Sequence, residues 1–405
     1  MDDPTPRPRL RPLDIRPLVH EGRPSLYLRD PLQLSDRVVV LPRELGPLLL
    51  LCDGSRDTRA LYAGLLVRYG LPVTMDVVQR VVQVLDEACF FDNARFRATS
   101  AAQLTAYRQA PCRPPALAGA SYPASAGELT RLFDAYAETA ADVEPGSAAV
   151  RGLVSPHIDY DRGGPVYARV WKRAAPAVRA ADLVVIFGTD HYGDRLINLT
   201  RQHYATPWGV LPTAVDIVDA LAGCLGASHV FEGELRHRTE HSIELAAAWL
   251  HYTRGGQPVE VLPVLCGSFH HFVQNGTQPD EDAILNQFLE VLARTARHRR
   301  VVAVAAGDLA HVGPAFGGAP VHAEALGNLQ AADDELIGAM CQGDASGFFA
   351  AIRQVQDRNN VCGVAPIYLT LQFLGPTRGE PVAYDACPAD DRATSWVSIC
   401  GITLS

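Results

Sequence analysis

Two short apolar runs near the middle of the chain, residues 152–154 and 183–187, each lead straight into a histidine. The first continues as Ser155-Pro156-His157 and the second as Gly188-Thr189-Asp190-His191. Short β-branched runs that stop at Pro or Gly read as buried strands. Between them, Val166, Val170, Ala174 and Val178 recur at helical spacing and predict a helix over 164–180. The unit is therefore β-α-β, and it commits the chain to parallel strands with helices covering the sheet. The carboxyl ends of such strands open on the crevice where α/β sheets bind ligands. Two adjacent strands would deliver two imidazoles to that crevice, which is most of a transition-metal site. A single strand-end histidine is more often a hydrogen-bonded structural group. Two at equivalent ends, each near an acid (Asp159, Asp190), favour ligation.

With 405 residues the chain is long enough for two or three domains. A net charge of −9 argues against a general nucleic-acid binder. The densest basic run, Arg297-His298-Arg299-Arg300, falls where a helix should end, so it reads as a solvated cap. Nine cysteines without a CxxC pair fit reduced thiols in a cytoplasmic protein. The Pro-rich N-terminus has no secretory h-region, and no apolar run reaches the ~20 residues of a membrane helix. Neither nucleic acid nor membrane is thus an expected partner. Only His20 precedes residue 150 and the other twelve histidines follow it, so any chemistry belongs to the later part of the chain.

Residues 1–12 are expected to be a mobile Pro/Arg-rich tail. A small α+β domain follows over 13–93, with strands near 27–30 and 37–41. Helices are expected over 43–52, 58–69 and 75–87, the last burying Val77, Val78, Val81, Val82 and Leu85. Residues 94–116 read as a polar helix and linker. From 117 to 405 one α/β domain is expected, an open mixed or parallel sheet flanked by helices. Within it, Thr239 reads as the N-cap of a helix that starts with Glu240 and His241, and His237 as a solvated loop residue. The strand over 300–306 runs into Gly307-Asp308-Leu309-Ala310-His311, a third polar strand end. No GxGxxG fingerprint, P-loop or GxSxG elbow follows a strand, and neither Ser155 nor Ser242 sits on a nucleophile elbow.

Taken in order, these segments resemble the Memo family, including its bacterial members called AmmeMemoRadiSam system protein B. The matching stretches are Ser121-Tyr122-Pro123, Ser155-Pro156-His157, Gly188-Thr189-Asp190-His191 and Thr206-Pro207. They continue with Glu240-His241-Ser242-Ile243-Glu244, Leu262-Pro263-Val264-Leu265, Asp308-Leu309-Ala310-His311, Cys362-Gly363 and Ser395-Trp396-Val397-Ser398. The front domain is weakly similar to PqqD-like winged-helix domains, in element order and in its Asp53-Gly54 turn.

The resemblance implies the fold of class III extradiol dioxygenases, with His157 and His191 as metal ligands and His241 as the acid/base. It puts the third ligand on an Asp-x-Cys-His loop, at the position that is Ala310 here. A third donor would then come from Asp190, Asp308, Glu240 or His311. Asp308 is the first expectation, and the alternative for Asp308 and His311 is a hydrogen-bonded pair shaping the loop. Asp190 is expected to assist His241 in catalysis. Asp159, Tyr160, Tyr192, Glu240 and His311 are expected to line the substrate pocket. An imidazole with an ordinary pKa of ~6.5 suits proton transfer near neutrality. The implied function is a non-haem Fe(II) redox enzyme acting on a small-molecule or peptide substrate with a radical-SAM partner. A non-catalytic binding or maturation partner is one alternative. Zinc hydrolysis or a copper site on the same histidines is another.

Overall fold

The computed structural model describes residues 7–193 and 195–405. Two compact units divide it, Met1–Gln109 and Ala110–Ser405. The division assigns the expected linker to both: helix Ala94–Gln109 belongs to the first unit and residues 110–116 to the second.

In the front unit, β1 (Asp14–His20), β2 (Arg23–Arg29) and β3 (Val39–Pro42) form an antiparallel sheet in that order. Glu21 and Gly22, both at positive φ, make the two-residue turn between β1 and β2. Helices α1 (Gly46–Leu51), α2 (Thr58–Tyr69), α3 (Met75–Glu87) and α4 (Ala94–Gln109) follow. Strand β1, with Pro17 in it, has no strand signature and was not expected. On α3 the structure buries Val78, Val81 and Leu85 but leaves Val77 exposed. Of the expected mobile tail, residues 1–6 lie outside the described residues. The rest is tied down: the Leu10 N–H donates to Cys52 O (2.7 Å), and buried Arg11 pairs with Asp30 (3.1 Å).

The second unit opens with α5 (Ala126–Glu138), β4 (Gly152–Ser155), α6 (Tyr160–Ala180) and β5 (Leu183–Thr189). Short strands β6 (Ile197–Leu199), β7 (Tyr204–Thr206) and β8 (Gly209–Leu211) come next. Helices α7 (Val215–Leu225), α8 (Ala227–Phe231) and α9 (Ser242–Thr253) lead to β9 (Glu260–Cys266). Then come α10 (His270–Asn275), α11 (Ala283–Ala296), β10 (Val301–Ala306) and β11 (His311–Val312). Helices α12 (Ala323–Gln342), α13 (Ala345–Gln354) and α14 (Val364–Leu374) precede the closing strands β12 (Gly379–Pro388) and β13 (Trp396–Leu404).

The main sheet is mixed, in the order β11-β13-β4-β10-β5-β9-β6, with β12 on β13. Its centre, β4-β10-β5-β9, is parallel, and the flanking strands are antiparallel. Strands β4 and β5 are therefore not neighbours, as the β-α-β reading expected; β10 lies between them. A long crossover such as α6 fixes parallel direction and cannot say whether a later strand intervenes. Both faces are covered, so the central strands are apolar throughout. On β5, Leu183, Val185 and Phe187 enter the core on one side, and Val184 and Ile186 the core on the other. Each such burial contributes roughly 1.5–3 kcal/mol.

One buried carboxyl away from the strand ends carries a stability prediction. Asp333 on α12 is fully buried, accepts from Tyr384 Oη (2.9 Å) and has an unsatisfied Oδ1. Burial lifts its pKa to about 6, with hydrogen bonds from Ser398 and Tyr384 only partly opposing. The folded state thus holds this proton more tightly than the unfolded chain. Stability should fall as pH rises from ~4 to ~6 and level off above, a loss on the order of 3 kcal/mol. Asp333→Asn should remove that slope and stabilise the protein at neutral pH. Urea unfolding of both proteins on either side of the window checks this; parallel pH profiles would refute it.

Candidate metal centre

Strands β4, β10 and β5 end level, because Ala306 faces Ser155 on one side and Gly188 on the other. Their exits carry His157, Asp308 and His191 to one place. Helix α9 adds His241 at its N-terminus, and close packing fixes that end. The Ser242 hydroxyl donates to Thr189 O (2.8 Å), and a Cβ on Gly188 would meet Ile243 Cγ1 at 2.6 Å. The ring centroids of His157 and His191 are 5.0 Å apart, those of His157 and His241 5.4 Å. His191 and His241 stack at 4.7 Å. One nitrogen from each of the three rings lies within 4.8 Å of the others.

The position to which the resemblance assigns a third donor, Ala310, carries no donor side chain. Ala310 is fully buried, its N–H donating to Ser398 Oγ (2.9 Å) and its carbonyl accepting from Ser398 N (3.0 Å). Cys362, on the turn before α14, instead brings Sγ to 3.1 Å from His157 Nε2. His157, Asp308 and Cys362 form a second group with ligand atoms within 4.8 Å of one another. Two glycines make this approach feasible. A Cβ on Gly307 would lie 2.6 Å from Gly363 Cα, and Gly363 N donates to Asp308 O (2.9 Å). Asp190, Glu240 and His311, the other expected third donors, belong to neither group. The Asp190 carboxylate is committed to Asn198 Nδ2 (2.7 Å) and faces Arg236 (3.7 Å). His311 Nδ1 faces Leu309 O (3.2 Å) and its ring packs edge-on against Phe316 (5.0 Å).

Glu240 organises the histidines from beneath. Its carboxylate accepts from the main-chain N–H of His191 (3.2 Å), His241 (2.7 Å) and Ser242 (3.1 Å). It also meets Nδ1 of both His191 and His241 at 3.0 Å. That leaves Nε2 of each ring for a ligand or a proton. The expected N-cap at Thr239 is thereby corrected: α9 starts at Ser242 with His241 as its N-cap, and the Glu240 carboxylate takes the Ser242 N–H. Burial alone would raise the Glu240 pKa, but the two imidazoles hold it well below the usual range. Burial opposes a charged His191, and Glu240 outweighs it, so this ring binds a proton more readily than usual. Burial and the two neighbouring imidazoles keep His157 neutral, its Nδ1 on Ala306 O (2.9 Å). Burial pushes the Cys362 thiol up, with His191 opposing. It likewise raises the Asp308 carboxyl, whose Oδ1 accepts from His157 N (2.7 Å) and Ile158 N (3.2 Å).

A cavity of about 290 Å³ opens over His157, His191, His241 and Asp308. Asp159, Tyr160 and His311 line it, with Arg162 and Phe316 beside them. Asp159 also caps α6 at Arg162 N (3.1 Å), and Tyr160 Oη donates to Leu245 O (2.9 Å). His311 titrates low, at about 4, chiefly because it is buried. Tyr192 is exposed and borders no described cavity, and Glu240 lies under the histidines without lining the space. A second cavity of about 290 Å³ holds Cys362 and Asp190 and shares only His191 with the first. There burial lifts the Asp190 pKa to about 6. Asp190 and His241 therefore face different spaces.

Three features escaped the sequence reading. His237 is no solvated loop residue: it is fully buried, between Tyr204 Oη (2.6 Å) and Asn198 O (3.1 Å). Arg113, read as linker, is also fully buried and reaches the loop that carries Glu240. Only Cys362-Gly363 left a trace in sequence, as a matched dipeptide, without any spacing that marks the thiol as a ligand.

A family model described as Memo-like protein matches residues 113–402, a range that contains all the groups above. A MEMO1 family protein of Methanosarcina acetivorans is 29% identical over 281 residues, 67% of this chain and 91% of that protein. One from Methanosarcina barkeri is 28% identical over 278 residues, 67% of this chain and 91% of its own. A MEMO1 family protein of Aquifex aeolicus is 24% identical over 400 residues, 96% of this chain and 98% of that one, so its match extends through the front unit. The chain belongs to the Memo-like family.

Proposed function

We propose that this protein is a metal-dependent, dioxygenase-like redox enzyme whose metal is held by His157, His191 and Cys362, with Asp308 alongside. The observation that supports this reading is the convergence of two donor sets that share His157, one with His191 and His241 and one with Asp308 and Cys362, with a cavity on either side. Two nitrogens, a sulfur and a nearby carboxylate fit a divalent transition metal, and Fe(II) is the first candidate. Bound there, the metal would supply one-electron chemistry and open coordination positions. The chain's own part is the rest. Neutral His157 offers a lone pair, and Glu240 orients His191. His241, with Nδ1 held by Glu240, receives a substrate proton at Nε2 and returns it. Asp159 and Arg162 orient a polar small-molecule or peptide substrate at the rim.

Partnership with a radical-SAM enzyme, as in the AmmeMemoRadiSam systems, belongs to this proposal. The three-stranded sheet leading into helices supports a winged-helix-like, PqqD-like role for the front unit in docking a peptide or that partner. Cys362 also favours a second reading. A thiolate suits zinc or copper as well as iron, and zinc would turn the site toward hydrolysis. A non-catalytic role on grounds of a missing third ligand loses force, since Cys362 offers one.

Metal analysis of protein purified without oxygen tests the proposal. Stoichiometric iron, removed by His157→Ala and by His191→Ala, is the expected result. Zinc in its place would favour hydrolysis, and a wild type that takes up no metal even on reconstitution would overturn the enzyme reading.

A further inference from the structure

We infer that Arg113 is a positioning residue for the candidate metal centre, acting through the main chain of Glu240. The inference rests on the metal-site reading above, and the geometry behind it is independent of any metal. Arg113 is fully buried, and its backbone pairs with the strand at Tyr204: Arg113 N donates to His203 O (2.7 Å) and Ala205 N to Arg113 O (2.9 Å). From that anchor the guanidinium crosses to the turn before α9. Nε donates to His237 O (2.6 Å), Nη2 to Glu240 O (2.8 Å), and Nη1 to the Glu244 carboxylate. One planar fork thus holds both ends of the segment 237–240. Arginine alone offers donors in such a fixed fork; lysine is a point charge on a flexible stem.

Glu244 secures the other side. Besides Arg113 it accepts from Ala116 N (2.7 Å), Leu117 N (2.8 Å) and Tyr122 Oη (2.6 Å). A buried ion pair is weak evidence for stabilisation, since apolar replacements often do as well. What this pair adds is place. The peptide held by Arg113 carries the carboxylate that holds Nδ1 of His191 and His241, so a shift of that peptide frees both rings to turn. Outer-shell partners of ligating histidines act in this way on metal affinity.

The test compares Arg113→Lys with Glu244→Gln in the full chain, with two readouts. Nitrogen-15 NMR of the metal-free protein in mildly alkaline buffer reports which ring nitrogen of His191 and His241 carries hydrogen. Cobalt(II) titration reports affinity. The wild type is expected to keep hydrogen on Nδ1 in both rings. Arg113→Lys should lose that preference and bind cobalt about 10- to 100-fold more weakly. Glu244→Gln, which keeps the two carbonyl contacts of Arg113, should lower the melting temperature while leaving both readouts within a few-fold. Should Arg113→Lys fail to fold, the double variant Arg113→Met with Glu244→Gln removes the charges together and must show the same tautomer loss. Unchanged tautomers and cobalt affinity in a folded Arg113 variant would overturn the inference. A wild type that binds no cobalt would sink the metal reading, and the tautomer measurement would still decide the role of Arg113.

Discussion

Cys362→Ser is expected to weaken metal binding by more than ~100-fold while leaving the fold intact. The scale follows from ligand chemistry: losing an outer-shell partner already costs about 10- to 100-fold, and a thiolate ligand is worth more. Serine keeps nearly the same volume, but its hydroxyl does not ionise near neutrality and is a poor donor to a soft or borderline metal. The wild type should show a sulfur-to-metal charge-transfer band with cobalt that the variant lacks. Because burial raises the thiol's pKa, metal uptake must displace its proton. Wild-type affinity should therefore climb with pH, and the variant should lose the share of that slope owed to the thiol, about tenfold per unit for one proton released. Equal affinities in a competition titration would remove Cys362 from the ligand set and hand its place to Asp308.

Gly307→Val should damage both stability and the site, although residue 307 bears no reactive group. The added Cβ would sit 2.6 Å from Gly363 Cα, and the neighbour is main chain, which cannot turn aside as a side chain would. Either β10 or the 362–363 turn must move. Overpacking of this kind costs about 1–3 kcal/mol and sometimes more. Movement of the turn carries Cys362 away from His157, so metal affinity should fall along with the unfolding midpoint. Gly363→Ala should reproduce the effect from the opposite side, since its Cβ would lie 2.6 Å from Asp308 O. A Gly307→Val protein of wild-type stability that binds metal normally would show that this glycine pair does not set the thiol's position.

The strand-end histidines were legible in the sequence for a local reason. A β-branched run followed by Pro or Gly and then His states both the strand and its exit within a few residues, as at 152–157 and 183–191. The amphipathic helices were legible likewise, and α3 runs from Met75 to Glu87 as its pattern predicts. Where the rule needed a partner distant in sequence, the reading failed. Thr239 satisfies the local preference for an N-cap, yet α9 starts three residues later and its first N–H goes to the Glu240 carboxylate, on which two histidines converge. His237 carries no sequence mark of burial; its partners Tyr204 and Asn198 lie more than thirty residues away.

The sequence by itself determined that the chain is an α/β protein and that His157, His191 and Asp308 stand where strands run out, since strand and exit are written in consecutive residues. Only the tertiary structure decided that β10 separates β4 from β5, which sets the three exits side by side. It alone brings Cys362 across a glycine–glycine contact to His157, and Arg113 across more than a hundred residues to the Glu240 peptide. Those choices rest on steric fit and on satisfying buried polar groups. Both depend on which segments meet in space, and no stretch of sequence holds that information alone.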